Sequence, residues 1–291
     1  MATPSFFPAP SAPSATGRAT QPAAGSRPPR AVLADLADLA MGGHDLLLLL
    51  SHMRSYSSLL AHLLGSSEQI AGSGEQHLRY RHAGDLWRLR RRVLAERSRG
   101  ASAARPRWLL DKQLHDASRP ADRLLPAERS RALIFLRAPA PTLASILALA
   151  QRRQQRNGCA DALADPQRAC DYYVARLHHL RQDAERLGRR ALGFDAELLP
   201  ARPEALLQGI AGWLGLDRVP STRYQATART GQEGYGDWGD NIHAGVVLDA
   251  SHGSGAGRGG LLPPAVLAEA EAAHRRCREA LKRHCATLGM D

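Results

Sequence analysis

A short polar segment carries residues suited to binding an anionic group. It contains Arg54, Ser55, Tyr56, Ser57 and Ser58. An apolar run that predicts a buried strand precedes it, and leucines at helical spacing follow it. The N–H groups and dipole at a helix start attract anions, Arg54 adds a fixed charge, and the serines add hydroxyl donors. The pattern GxxxxGK[ST] is absent, so an ordinary triphosphate P-loop is not predicted. An N-cap serine beside a surface arginine is the structural alternative.

A second candidate anion site follows the next apolar run. That run, RALIFLRAPA, predicts a strand ending at Arg137, and Ser145 follows eight residues later inside a predicted helix. In open α/β folds, ligands bind at the carboxyl ends of parallel strands. Two separated anion sites suit a nucleotide that carries phosphates at both ends. A glycine-rich stretch near residues 229–245 predicts a late loop.

These segments, taken in order, resemble the sulfotransferases that use 3′-phosphoadenosine 5′-phosphosulfate. RSYSS is similar to the family's 5′-phosphosulfate loop, with Tyr56 in place of its glycine, and Arg137 with Ser145 resembles the 3′-phosphate pair. The late RTG and GDW groups resemble a lengthened form of the loop beside the 3′-phosphate and adenine. The resemblance runs from about residue 45 to about residue 245. It implies that the nucleotide is bound by Arg54, Ser55, Tyr56, Ser57, Ser58, Arg137, Ser145, Arg229, Thr230 and Gly231.

The transfer itself requires cations near the bridging oxygen, where negative charge develops. Arg54 and Lys112 are the candidate cations. Lys112 is one of two lysines among the 39 basic Lys and Arg residues, so its retention indicates a site that needs a compact ammonium group. The alternative is an incidental lysine on a surface loop. The resemblance places Lys112 where family members have a lysine before the acceptor pocket.

A base must also remove the acceptor proton, and two residues are candidates. Glu75 lies 21 residues after Arg54 and resembles the catalytic glutamate of sulfotransferases with an arginine-type loop. His115 follows Lys112 by three residues, whereas cytosolic sulfotransferases have a spacing of two. Glu75 is preferred. The structural alternatives are a solvated strand-end carboxylate for Glu75 and, for His115, a loop histidine paired with Asp116 or Asp111.

The intervening patterns predict an α/β fold with a central, mostly parallel sheet flanked by helices. The resemblance implies the P-loop-NTPase-like sulfotransferase version of that fold. Residues 1–30 hold seven of the 18 prolines and no acidic residue, which predicts a disordered tail rich in Pro, Ala and Ser. Residues 31–291 are predicted to form a single sulfotransferase domain, ending in a charged helix.

Composition limits the class of protein without selecting a partner. The net charge of +11 favours anionic partners of any kind. Four cysteines without a CxxC pair indicate free thiols in a reducing compartment. The longest apolar run, Leu46 to Leu50, is too short to cross a bilayer. We therefore expect a cytoplasmic protein without a transmembrane segment.

The resemblance implies a transferase that binds 3′-phosphoadenosine 5′-phosphosulfate as co-substrate and needs no metal. The acceptor is expected to be a hydroxyl or amine on a small molecule, carbohydrate or lipid, and no nucleic acid is expected. Two alternatives are a nucleic-acid-binding module that uses the basic run after Trp87, and a P-loop-like kinase, which would require a lysine absent from the first loop.

Overall fold

The structure is a computed structural model. It describes residues 30–97, 105–116, 119–121, 124–125, 128–227, 230–232, 240–248 and 262–290. The candidate residue Arg229 and the GDW group lie outside the described residues.

A six-stranded sheet forms the centre of the described structure. Its strands are β1 (Asp45–Leu50), β2 (Ile70–Ala71), β3 (Trp108–Gln113), β4 (Ser130–Leu136), β5 (Ala191–Asp195) and β6 (Ala286–Leu288). Their order across the sheet is β2-β3-β1-β4-β5-β6, and each neighbouring pair runs parallel. The predicted α/β class with a central parallel sheet is therefore confirmed.

The helices cover both faces of this sheet. They are α1 (Arg30–Met41), α2 (Ser57–Gly65), α3 (Ala83–Arg97), α4 (Pro139–Asn157), α5 (Pro166–Leu187), α6 (Leu198–Ala201), α7 (Pro203–Leu214) and α8 (Pro264–His284). Helices α2, α6 and α7 pack on one face, and α1, α3, α4, α5 and α8 pack on the other. In the described part of the chain, every helix is too short or too polar to span a bilayer.

The leucine run of β1 explains why this strand lies at the centre. Side chains alternate between the two faces of a strand, so Leu46, Leu48 and Leu50 enter one core and Leu47 and Leu49 enter the other. All five are at most 2% exposed. A continuous apolar run of this kind is typical of a parallel strand that is covered on both faces.

Two elements at the ends of the chain differ from the sequence prediction. Helix α1 begins at Arg30, the last residue of the predicted tail, and it was not predicted; residues 1–29 lie outside the described structure. The predicted terminal helix is present as α8, but the chain then adds β6 beside β5. Three residues are too few to show the alternation by which a strand is recognised in a sequence. The single-domain assignment stays a prediction.

Candidate functional site at the carboxyl ends of the strands

Parallel strands bring their carboxyl ends to the same edge of the sheet, and the candidate residues lie there. β1 lies between β3 and β4, with Leu50 opposite Gln113 and Ile134. The segment after β1 holds Arg54 to Ser58, and Arg137 directly follows β4. We call this region the carboxyl-end site. It contains the predicted Arg54, Ser58, Glu75, Lys112, Arg137 and Ser145.

The loop between β1 and α2 is held by internal hydrogen bonds. Ser51 Oγ lies 2.6 Å from the Phe135 carbonyl oxygen and 2.7 Å from Ser55 Oγ, while Ser55 Oγ also donates to the His52 carbonyl at 2.8 Å. Ser55 is therefore buried as part of the loop's own framework. Its predicted contact with the nucleotide stays a prediction.

Tyr56 adopts the backbone conformation that a glycine would adopt most easily. Its φ is 62° and its ψ is 14°, so the N-cap of α2 is left-handed and makes no side-chain capping bond. Arg54 also has a positive φ, of 63°. Left-handed conformations are unfavourable for residues with a Cβ atom and occur preferentially at functional sites. A tyrosine thus forms a glycine-like turn at this position. Helix α2 begins at Ser57 without the serine cap proposed as the structural alternative.

Arg54, Arg137 and Ser145 form one connected group. Arg54 donates from Nε to Ser145 Oγ at 2.8 Å, and Arg137 donates from a terminal nitrogen to the Arg54 carbonyl at 2.8 Å. The Arg137 guanidinium also lies over the Tyr56 ring, 4.4 Å from its centroid. The two predicted anion sites are therefore adjacent. Burial lowers the pKa of Arg137, but an arginine remains charged at neutral pH.

Two residues that sequence reasoning missed fix the backbone of Arg137. The Arg137 N–H donates to His52 Nε2 at 3.0 Å, and the Tyr173 hydroxyl donates to the Arg137 carbonyl at 2.8 Å. Burial lowers the pKa of His52 to about 3, so its ring is neutral and can accept this bond. No local pattern in the sequence signals these contacts, because they join segments 85 and 36 residues apart.

Lys112 lies in β3 with a completely buried side chain, not on a surface loop. Its Nζ donates to Ser58 Oγ at 3.0 Å and lies 3.3 Å from Glu75 Oε1. Glu75 is itself 8% exposed. Lys112 thus connects Ser58, which follows the candidate anion-binding loop, to the candidate base Glu75. Its compact ammonium group fits this role.

The segment that carries Glu75 is attached to β3 by the buried carboxylate of Asp111. Asp111 accepts from the Gln76 N–H at 2.9 Å and from the Tyr80 hydroxyl at 2.6 Å. Burial raises the pKa of Asp111 to about 6, even though these two hydrogen bonds oppose the rise. Asp111 thus fixes the residue next to Glu75. Its own side chain is engaged with Tyr80 and Gln76, whereas sequence reasoning had considered it as a partner of His115.

His115, the second candidate base, is half-buried just beyond β3. Burial lowers its pKa, while the negative charges of Glu75 and then Asp116 act in the opposite direction. Its ring lies 6.4 Å from that of Tyr172. The imidazole is therefore neutral at pH 7 and is chemically able to accept a proton. Glu75 contacts Lys112 directly, and His115 follows Lys112 by three residues.

Part of the late loop is described, and it contacts α2. Thr230 Oγ1 lies 2.7 Å from His62 Nε2. Gly231 has a φ of 77°, and a Cβ atom added there would collide with the ring of His243 unless that ring moved, so both features favour glycine. Thr230 therefore contacts the helix that follows the candidate anion-binding loop.

Some of the basic residues on α3 are used within the protein. Arg90 donates to the Ala40 carbonyl at 3.0 Å, Arg92 to the Gln76 carbonyl at 2.8 Å and Arg97 to the Ile70 carbonyl at 3.0 Å. These arginines stabilise neighbouring backbone, which weakens the nucleic-acid alternative. Among the described residues, no group of three His, Cys, Asp or Glu side chains is arranged to hold a metal ion.

The fold and the site together define an α/β protein with a cationic site at the carboxyl ends of a parallel sheet. In the sequence comparisons, no family model and no curated protein matches this chain. Among solved structures, the chain is similar to a sulfotransferase domain from the curacin biosynthetic pathway. That match has a TM-score of 0.40 and 17% identity, and it covers 60% of this chain and 75% of that domain.

Proposed function

We propose that this protein is a sulfotransferase that moves a sulfuryl group from 3′-phosphoadenosine 5′-phosphosulfate to a hydroxyl or amine acceptor. The observation that carries the proposal is the connected group of Arg54, Arg137 and Ser145 at the end of β1 and β4. Two guanidinium groups and a hydroxyl beside a helix start suit a ligand with several phosphate or sulfate oxygens. The late turn at Thr230 and Gly231, with Arg229, completes the proposed nucleotide site.

The proposed transfer is a direct in-line displacement at sulfur. The acceptor oxygen or nitrogen forms a bond to sulfur as the bond from sulfur to the bridging phosphate oxygen breaks. The electron pair of that bond goes to the departing 5′-phosphate, and the acceptor's proton goes to Glu75 or His115. Arg54 and Lys112 stabilise the charge that develops on the bridging oxygen.

The proposed reaction uses these cations in place of a metal. The transferred sulfuryl group carries less charge than a phosphoryl group, so guanidinium, ammonium and backbone N–H groups can supply the neutralisation that kinases obtain partly from magnesium. Lys112 is favourably located for this role because it contacts both Ser58 of the loop and Glu75. The fixed positions of these groups favour reaction by orientation as well as by charge.

A thermal-shift titration with adenosine 3′,5′-bisphosphate tests the proposal. A ligand at a hundred times its Kd adds about 2.7 kcal/mol to the free energy of unfolding, which is a measurable rise in Tm. We expect this rise for the wild type and for Arg218→Ala, whose side chain is 84% exposed. We expect a much smaller rise for Arg137→Ala. A wild type whose Tm is unchanged by the bisphosphate would refute the proposed function.

A further inference from the structure

His62 joins α2 to the late loop through both of its ring nitrogens. Its Nδ1 lies 2.7 Å from the Ser58 carbonyl oxygen, and its Nε2 lies 2.7 Å from Thr230 Oγ1. The residue is 5% exposed, and its ring packs edge-to-face near Tyr224, with centroids 5.6 Å apart. Neither the sequence patterns nor the proposed transfer assigns a role to it.

The direction of the two hydrogen bonds follows from their partners. A carbonyl oxygen can only accept, so Nδ1 carries the proton and donates to Ser58. Burial lowers the pKa of His62, the hydrogen bond to the Ser58 carbonyl acts in the opposite direction, and the charges of Lys112 and His243 lower the pKa again. The neutral ring then has a lone pair on Nε2, which accepts a hydrogen bond from the Thr230 hydroxyl.

Thr230 is held from a second side by its own turn. The Thr227 N–H donates to Thr230 Oγ1 at 2.7 Å, and the Thr230 N–H donates to the Thr227 carbonyl at 3.0 Å. The Thr230 hydroxyl therefore accepts from the Thr227 N–H and donates to His62 Nε2, and the Thr227 hydroxyl oxygen lies 3.2 Å from it. Gly231 follows in a left-handed conformation against the ring of His243. The hydrogen bond from Thr230 to His62 therefore restricts the position of the turn at Thr230 and Gly231.

We infer that His62 is a positioning residue, which fixes the turn at Thr230 and Gly231 so that the turn contacts the 3′-phosphate side of the bound nucleotide. The inference rests on the proposed function. Ser58 contacts both Lys112 and His62, because its hydroxyl accepts from Lys112 and its carbonyl accepts from His62. His62 therefore links the late turn to the same helix residue that contacts the candidate cation at the reacting centre.

Two nucleotides that differ only in the 3′-phosphate isolate this effect. Isothermal titration calorimetry would measure the Kd of adenosine 3′,5′-bisphosphate and of adenosine 5′-monophosphate, and their ratio reports the contribution of the 3′-phosphate. Asn places its amide near the Nδ1 position of histidine, and Gln places its amide near Nε2. We expect His62→Asn to weaken bisphosphate binding about five-fold, as for a lost hydrogen bond, and to change monophosphate binding less than two-fold. His62→Gln should remain near the wild-type ratio.

Thr230 provides the second half of the test. Thr230→Val removes the hydroxyl at nearly constant volume and should weaken bisphosphate binding as His62→Asn does. Thr230→Ser keeps the hydroxyl and should retain binding. The double variant His62→Asn/Thr230→Val should bind the bisphosphate no more weakly than either single variant. Equal weakening of both nucleotides, additive losses, or an unchanged ratio would overturn the role of His62. If His62→Asn does not fold, the Thr230 variants decide the question. A wild type that binds neither nucleotide overturns the proposed function as well.

Discussion

Arg54 donates a hydrogen bond of 2.8 Å from Nε to Ser145 Oγ, across a separation of 91 residues in the chain. The sequence patterns had assigned these residues to opposite ends of a nucleotide, the 5′-phosphosulfate and the 3′-phosphate. In the structure the loop that carries Arg54 is in direct contact with Arg137 and Ser145, because Arg137 also donates to the Arg54 carbonyl. A ligand that engages Arg54 therefore acts on the position of Ser145 and Arg137 as well.

Substitution of Arg54 is expected to weaken nucleotide binding through both charge and geometry. Arg54→Ala should raise the Kd of adenosine 3′,5′-bisphosphate about ten- to a hundred-fold, the range for lost hydrogen bonds to a charged group. Arg54→Lys should lie between Ala and the wild type, because it keeps the charge but not the planar donor group. Calorimetric titration measures both changes. Arg218→Ala is the control, and an equal loss in that variant would mean that general charge, not this site, governs binding.

Lys112 and Glu75 are expected to stabilise the fold as a pair. Lys112→Met leaves the carboxylate of Glu75 buried without its ammonium partner, which should lower the free energy of unfolding by about 3 kcal/mol. The double variant Lys112→Met/Glu75→Gln removes both charges and should recover part of that loss. Urea unfolding at pH 7.5 measures the cycle. If the double variant loses the sum of the two single effects, the residues are not energetically coupled.

The strands and helices around the site could be predicted from local sequence patterns, whereas the long-range side-chain contacts could not. The apolar runs of β1 and β4 and the leucines of α2 predicted the parallel sheet and the loop at its edge. Arg54 and Arg137 could be singled out because each follows the end of a strand, and Ser145 because the resemblance pairs it with Arg137. Their binding of an anion stays a prediction. Arg229 lies outside the described residues.

The supporting residues escaped prediction because their roles depend on distant partners. His52 accepts from the backbone of Arg137, and Asp111 bonds to Gln76 and Tyr80 across 35 and 31 residues. A histidine in a loop or an aspartate in a strand has no periodicity that would reveal such contacts. Lys112 was noted for its rarity, but its complete burial in β3 follows from the sheet register and not from local sequence.

The choice between the two candidate bases can be made by substitution. If Glu75 removes the acceptor proton, Glu75→Gln should lower kcat at least a hundred-fold, while His115→Asn should lower it less than ten-fold. The assay requires an acceptor, which a screen of alcohols and amines with labelled donor would supply. Adenosine 3′,5′-bisphosphate affinity should stay within a few-fold in both variants. The reverse order of effects would assign the proton transfer to His115.

His52 makes the stability of the protein depend on pH, with a sign fixed by its lowered pKa. Its pKa is about 3 in the folded protein and about 6.5 in an unfolded chain. Between these values the unfolded state binds one more proton, so the folded state loses stability as the pH falls. The contribution of His52 to the free energy of unfolding should be fully present above pH 6.5 and smaller by about 2 kcal/mol at pH 5.

The variant His52→Gln isolates this effect, because Gln retains a group able to accept from the Arg137 N–H but does not titrate. Asp111, with its pKa raised to about 6, acts in the opposite direction in the same range, but it is present in both proteins and cancels in the comparison. We therefore expect the free energy of unfolding to fall by about 2 kcal/mol more in the wild type than in His52→Gln between pH 7.5 and pH 5. Replacement of the exposed His178 by Gln is the matched control and should leave the wild-type dependence unchanged. Parallel curves for the wild type and His52→Gln would show that His52 does not remain neutral when the protein is folded, and the account of how Arg137 is held would then be wrong.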